Sequence, residues 1–287
     1  MARFSFLTFL LICCLAAKTT GQTSSQEYTR AITADDFTKA RPKSKQPGKR
    51  GKPKRRSYRF ASTPQTGPVD SSDQQRLQLG VTIWKLQPIN QNRFGLAHVR
   101  QDQWLAKRVE ADTAFRVGDL LRLSIESPRP GYLYIIDSDW YADGSLGETN
   151  LIFPRLGENN RLEPGKLIDI PAQDQPPFRA TPKANQAGES LIFIVTATPI
   201  PLPVYQMTLP ISESQLMIWK ESWGAFTQRL ELNGGAGQAR TLSEQRAAAP
   251  TGARQLTRED PGPQTIFLLT PRSSHGFLFN LNLSYIR

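Results

Sequence analysis

The sequence predicts a mainly β protein: an antiparallel β-sandwich, immunoglobulin-like in general architecture, with a small helical excursion before the last strands. Three observations carry this expectation. Short apolar runs with strand-like alternation recur from Leu77 onward. Turn chemistry separates them, at Ser127-Pro128-Arg129-Pro130-Gly131, Asp143-Gly144 and Asn233-Gly234-Gly235. Two stretches in the C-terminal part, beginning at Ser212 and Thr241, have capping-box form, each with a glutamate or glutamine three residues on.

The chain is organised around Phe115–Pro154, which reads as three consecutive strands of one sheet. Leu121, Leu123 and Ile125 fall on one face, and Arg122, Ser124 and Glu126 on the other, the period of a half-buried strand. Two prolines and a glycine then turn the chain. Tyr132–Asp137 is apolar on both faces and reads as a central strand. Asp143-Gly144 supplies the positive φ of a hairpin turn, and the third run ends at Pro154.

Residues 1–21 read as a secretory signal peptide, with Arg3 ahead of an apolar run from Phe4 to Leu15 that is too short for a stable membrane anchor. The mature chain is expected to carry no transmembrane span, and to be periplasmic or extracellular. Residues 22–76 read as a disordered linker, too polar to offset chain entropy, with a short helical turn near 32–37. Inside it lies a basic arm: between Lys39 and Arg59 there are 11 Lys and Arg and no acid. The chain's net charge is +11, while residues 60–287 hold 22 basic and 22 acidic side chains, so the charge belongs to the arm. Lys49, Arg50, Lys52, Lys54, Arg55 and Arg56 are its densest part and are candidates for binding an anionic surface.

Residues 77–287 form the expected β-domain: a main sheet over 77–203, then helices and closing strands over 204–287. Leu79, Val81 and Ile83 begin it, and Arg93–Arg100 is a candidate hairpin partner. Lys166–Ile170 is a short strand, and Glu189–Thr198 is a second strand apolar on both faces, ended by Pro199, Pro201 and Pro203. Leu216, Trp219, Trp223 and Phe226 share a helical face, although Gly224 leaves a strand from Phe226 to Leu232 open. Gln264–Thr270 and Phe277–Ile286 close the fold.

The run F-R-V-G-D-L-L-R-L-S-I-E-S, then P-G-Y-L-Y-I-I-D, Y-A-D-G-S-L-G and L-I-F-P, resembles the bacterial domain of unknown function numbered four-three-eight-four. The likeness continues through Leu162-Glu163-Pro164-Gly165-Lys166 and Gly188-Glu189. Trp223-Gly224 and Pro263-Gln264-Thr265-Ile266 look like the C-terminal half of secreted members, so it covers roughly Leu77 to Arg287. The resemblance implies a β-rich exported bacterial protein. It brings no activity and no functional residues.

Catalytic signatures are few. Cys13 and Cys14 lie in the leader, so the mature chain has no thiol chemistry. His98 and His275 have no partner pattern, and no phosphate-cradling or nucleophile-elbow motif occurs. Nothing points to a cofactor. Asp137, Asp139 and Asp143 are a weak candidate set for Ca²⁺, weighed against plain hairpin chemistry at Asp143. Trp140 and Tyr141, at the hairpin tip, are candidates for an aromatic ligand platform, with Trp84 and Trp104 possible additions; burial is the competing reading. The expected function is an exported, non-catalytic binding module of the cell envelope, its partner a protein or glycan, with an anionic polymer held by the arm and no specific nucleic acid. The alternative is a secreted carboxylate-based hydrolase or a Ca²⁺-binding domain, which requires acids that converge.

Overall fold

A computed structural model describes residues 36–43, 57–61, 77–88, 104–203, 208–250, 254–273 and 275–286. Two sheets face each other. The first runs in the order β1 (Tyr58–Phe60), β13 (Ala225–Leu232), β14 (Thr265–Pro271), β2 (Leu77–Pro88), β5 (Leu120–Glu126) and β10 (Phe178–Arg179), with β3 (Trp104–Val109) beside β2 and β9 (Ile168–Ile170) beside β5. The second runs β12 (Leu209–Pro210), β7 (Leu146–Phe153), β6 (Gly131–Tyr141), β11 (Gln186–Thr196), β15 (Gly276–Ile286) and β4 (Phe115–Arg116), with β8 (Arg161–Leu162) beside β6. Only the β15–β4 pairing is parallel among the named strand pairs.

The alternating apolar residues meet between the sheets. Leu79, Val81 and Ile83 of β2, and Leu121, Leu123 and Ile125 of β5, pack against Leu133, Ile135, Leu191, Phe193, Phe279 and Leu281 of the second sheet. Phe193 stacks on Phe279 at 5.1 Å, and Phe267 of the first sheet meets the same ring at 4.5 Å. The closing strands are structural centres: β14 lies between β13 and β2, and β15 beside β11. The described strands from β2 to β15 thus contribute to one core, and a break near Pro203 would separate β11 from its partner β15.

The two strands that read as apolar on both faces earn that pattern. The outer side of β6 and β11 (Tyr134, Ile136, Ile192, Ile194) is covered by α1 (Glu213–Trp223) through Leu216 and Trp219. Ser212 caps α1, its side chain accepting from the Gln215 amide at 3.2 Å. Phe226 leaves the helical face and is exposed, because the helix ends at Trp223 and β13 begins at Ala225. A second helix, α2 (Leu242–Ala247), starts in a full capping box between Thr241 and Glu244.

Two expectations change. The central stretch is not three strands of one sheet: β5 pairs with β2 in the first sheet, whereas β6 and β7 form the hairpin of the second. The proline-rich segment Ser127–Pro130 is too long and too short of amide donors for a tight hairpin, so it arches between layers. The folded unit also begins before residue 77. Residues 36–40 form a helical turn, and Phe37, 2% exposed, packs with Tyr58, Leu230, Leu232, Ile266 and Leu268 on the outer side of the first sheet. Arg41 and β1 are part of the fold, so only the middle of the arm is left as a candidate tether. Residues 1–35, most of the linker, the arm residues 49–56, the hairpin candidate 93–100 and His98 lie outside the described residues.

Strand packing at β11–β15 is tight enough to test. A Cβ on Gly188 would run into the carbonyl oxygen of Leu283 on the paired strand. Gly188→Ala is expected to cost about 1–3 kcal/mol through overpacking, read as a lower urea midpoint at unchanged m-value.

Candidate functional site

Hydrogen-bond needs shape the outer face of the first sheet. Arg122, Ser124 and Glu126 point away from the core, yet all three are buried. They sit under a layer formed by residues 36–43, 173–177, 237–250 and 254–263. Within it Trp84, fully buried, donates its indole N–H to Ser124 Oγ at 2.7 Å. Ser124 donates to Asp169 Oδ1 at 2.5 Å, and Arg240 grips the same carboxylate at 2.8 and 2.9 Å. The guanidinium carbons of Arg108 and Arg240 lie 5.2 and 5.4 Å from the Trp84 ring centroid, a cation–π arrangement. Arg108 is held by Glu244 and by the Gly262 carbonyl.

Beside this layer opens a cleft of ≈ 450 Å³. Leu86, Trp104, Pro177 and Pro250 give it apolar walls; Gln173, Asp174, Gln245, Arg122 and Arg240 give it polar groups. Arg122 is its unusual member. It is 8% exposed and donates from Nη2 to the Gln175 carbonyl at 2.8 Å, while its Nε is buried with no acceptor among the described residues. No carboxylate among the described residues comes within ion-pairing distance of it, because Asp169 is taken by Arg240. Burial pushes the Arg122 guanidinium below its ordinary value; the charge of Asp169 and, more weakly, that of Asp174 oppose the shift, and the like charge of Arg240 adds to it. Three facts concentrate here: a cavity, a buried cation without a counterion, and an apolar wall. A buried charge without a direct partner is costly, which makes this cleft the candidate binding site.

The candidate acids lie elsewhere. Asp137, Asp139 and Glu189 continue the inward-facing series of β6 and β11 beyond the apolar core. Tyr285 donates to Glu189 Oε1 at 2.8 Å, and Gln186 donates to the same oxygen at 2.8 Å and to Asp139 Oδ1 at 2.9 Å. Lys183 pairs with Asp139. Asp137 is pushed up to about 7, first by burial, then by the charges of Glu189 and Asp139. Burial also raises Glu189, and burial beside Glu189 raises the Tyr285 phenol. Both carboxyl groups are thus shifted toward the protonated form. Asp143 does not join them: it is exposed at the turn, where it accepts from Ser145 N at 2.9 Å and Ser145 Oγ at 2.6 Å. Among the described residues, no three His, Cys, Asp or Glu side chains converge to hold a metal ion. Of the set Asp137, Asp139 and Asp143, the first two lie on one face of β6, whereas turn chemistry claims Asp143.

Trp140 and Tyr141 are both half-buried, but neighbours on a strand point to opposite faces. They do not form one platform. Tyr141 instead borders a shallow hollow with Ala142, Asp143, Ser145, Ala184 and Asn185. Trp84 and Trp104 belong to the other sheet, and meet at the cleft. His275 is exposed in the β14–β15 loop.

Sequence reasoning missed Arg122, Arg240 and Glu189. Arg122 alternates with leucines and so resembles any solvent-facing strand residue; only the covering segments, contributed about 50 and 118 or more residues later, make it special. Trp84 carried a signal, a tryptophan on the polar face of a strand.

No curated protein and no solved structure matches the chain. A family model does match residues 114–199, the span from β4 through β11, which contributes strands to both sheets. This is narrower than residues 77–287; the remaining strands complete the two sheets around it. Residues 114–199 are thus similar to a domain of unknown function (DUF4384).

Proposed function

We propose that this chain is an exported, non-catalytic binding module of the bacterial cell envelope. Its β-domain offers the Arg122 cleft to an envelope component, and the middle of its basic arm holds it near anionic polymer. The observation that carries this reading is the open cleft beside a buried cation without a counterion. Its described lining holds a single acid, Asp174, and no histidine or cysteine, a composition suited to recognition. The arm's Lys49, Arg50, Lys52, Lys54, Arg55 and Arg56 add charge without aromatic side chains, which favours surface attraction over base stacking.

Retention on isolated envelopes across a salt series tests both parts. Replacing the six arm residues by glutamine keeps Arg41 and Arg59 in place and is expected to shallow the slope of log K against log salt by up to about 5. Trp104→Ala, at the cleft wall, is expected to weaken retention at every salt concentration without changing the slope. Retention of both variants at the wild-type level would sink the reading.

One observation favours the hydrolase alternative: the acid pair Asp137 and Glu189, of which one member keeps its proton near pH 7. Under that alternative Asp137→Asn abolishes turnover of envelope glycan and leaves retention unchanged.

A further inference from the structure

We infer that the cleft selects a carboxylate-bearing sugar of the uronic-acid type, with the carboxylate on Arg122. This rests on the binding reading above and adds the ligand's chemistry.

The first step is charge. Arg240 is neutralised by Asp169 at 2.8 Å, and Arg108 by Glu244, which leaves Arg122 as the buried guanidinium at the cleft without a carboxylate among the described residues. Asp174 on the same wall acts on Arg122 only at a distance, and the Arg122 Nε meets no acceptor among the described residues. Asp174 on the cleft wall presents one negative charge, which repels a dianion about twice as strongly as a monoanion.

The second step is shape. Arg122 spends one Nη2 donor on the Gln175 carbonyl and leaves its Nε without a partner. A planar carboxylate matches the fork of a guanidinium. The same face of the same sheet shows the match: Arg41 Nε and Nη2 meet the two oxygens of Glu126, each at 2.6 Å.

The third step is the body of the ligand. Trp104 and Leu86 offer apolar surface for the C–H face of a ring, and Gln173 and Gln245 border the same space with amides. Gln173 Nε2 donates to the Gln245 carbonyl at 2.7 Å, which fixes it in place and leaves its oxygen to accept from a hydroxyl. A volume of ≈ 450 Å³ lies within the range of small-ligand sites.

Glucuronate, glucose and glucose-6-phosphate are the probes, titrated against the full chain while the melting temperature and amide spectra are followed. Glucuronate is expected to raise the melting temperature and to bind at least tenfold more tightly than either of the others. Arg122→Met is expected to lose at least tenfold in glucuronate affinity. Its own melting temperature should equal or exceed wild type, since the substitution removes an unpaired buried charge. If Arg122→Met fails to fold, Arg122→Lys carries the test, because it keeps the charge, loses the fork and should still lose affinity. Equal binding of glucose overturns the inference, as does tighter binding of glucose-6-phosphate, full affinity in the Arg122 variants, or no response to any probe. Envelope retention separates the two readings. If Trp104→Ala loses retention while glucuronate is ignored, the binding module stands and the carboxylate assignment falls. If glucuronate binds through Arg122 but envelope retention is indifferent to the cleft, the assignment stands and the envelope reading falls.

Discussion

Glu126→Ala is expected to lower the unfolding free energy by about 3–5 kcal/mol, the cost of leaving a buried arginine without its partner. Arg41 is 2% exposed and so is Glu126. Their contact is bidentate, and the remaining donors of Arg41 reach the carbonyls of Thr257, Asp260 and Pro261. One guanidinium thus ties the N-terminal segment to β5 and to the 257–261 loop. Arg41→Ala removes the cation and the same ties, so its cost should be comparable. The double variant should cost less than the sum of the singles, since neither charge is then stranded. A truncation that starts after Lys43 should behave like Arg41→Ala, with a further loss from exposing the surface that Phe37 covers. Urea midpoints of the three variants and the truncation decide the matter. A truncation as stable as wild type would show that the segment is an appendage.

That result bears on what the sequence disclosed. Strand positions were legible because Leu121, Leu123 and Ile125, or Phe277, Phe279 and Leu281, alternate against polar neighbours, and alternation is a local property. Capping at Ser212 and Thr241 was legible for the same reason. Which sheet a strand joins is not local. The arch from Ser127 to Pro130 reads as a turn whether it returns to the same sheet or crosses to the other. Arg41 shows the same limit: within a run of eleven cations it looks like its neighbours, and its partner lies 85 residues away. The cleft was illegible on these grounds too. Arg122 sits on β5, its cover comes from residues 173–177 and from residues beyond 237, and its lack of an ion-pair partner is a statement about groups that are absent. The hairpin tip, by contrast, displayed two aromatics in sequence, and strand geometry sends them to opposite faces.

Stability should fall as pH rises from about 4 to about 7, the reverse of ordinary acid denaturation in this range. Two carboxyl groups set the sign. Asp137 is pushed up to about 7, by burial first and then by Glu189 and Asp139. It faces Glu189 from β11, Tyr285 from β15, and the Asp139–Lys183 pair beyond. Glu231 is also pushed up to about 7 by burial, against the pull of hydrogen bonds from Thr265, the Ala111 amide and Gln264 and the charge of Arg229. In the unfolded chain both groups titrate near 4. Between about pH 4 and 7 the native state therefore holds protons that the unfolded state has lost, so the slope of unfolding free energy with pH is negative. The favourable contribution is fully present below about pH 4 and is gone above the native values near 7. Each group is worth on the order of 3 kcal/mol across the window. Urea melts from pH 4 to 8 on wild type, Asp137→Asn and Glu231→Gln supply the check. An amide keeps the shape and removes the titration, so each variant should flatten its share of the slope and exceed wild type in stability most clearly at pH 8. A slope unchanged in both variants would place the pH dependence in other groups. If only Asp137→Asn flattens it, Glu231 is ionised in the native state, held by its hydrogen bonds and by Arg229 at 3.6 Å.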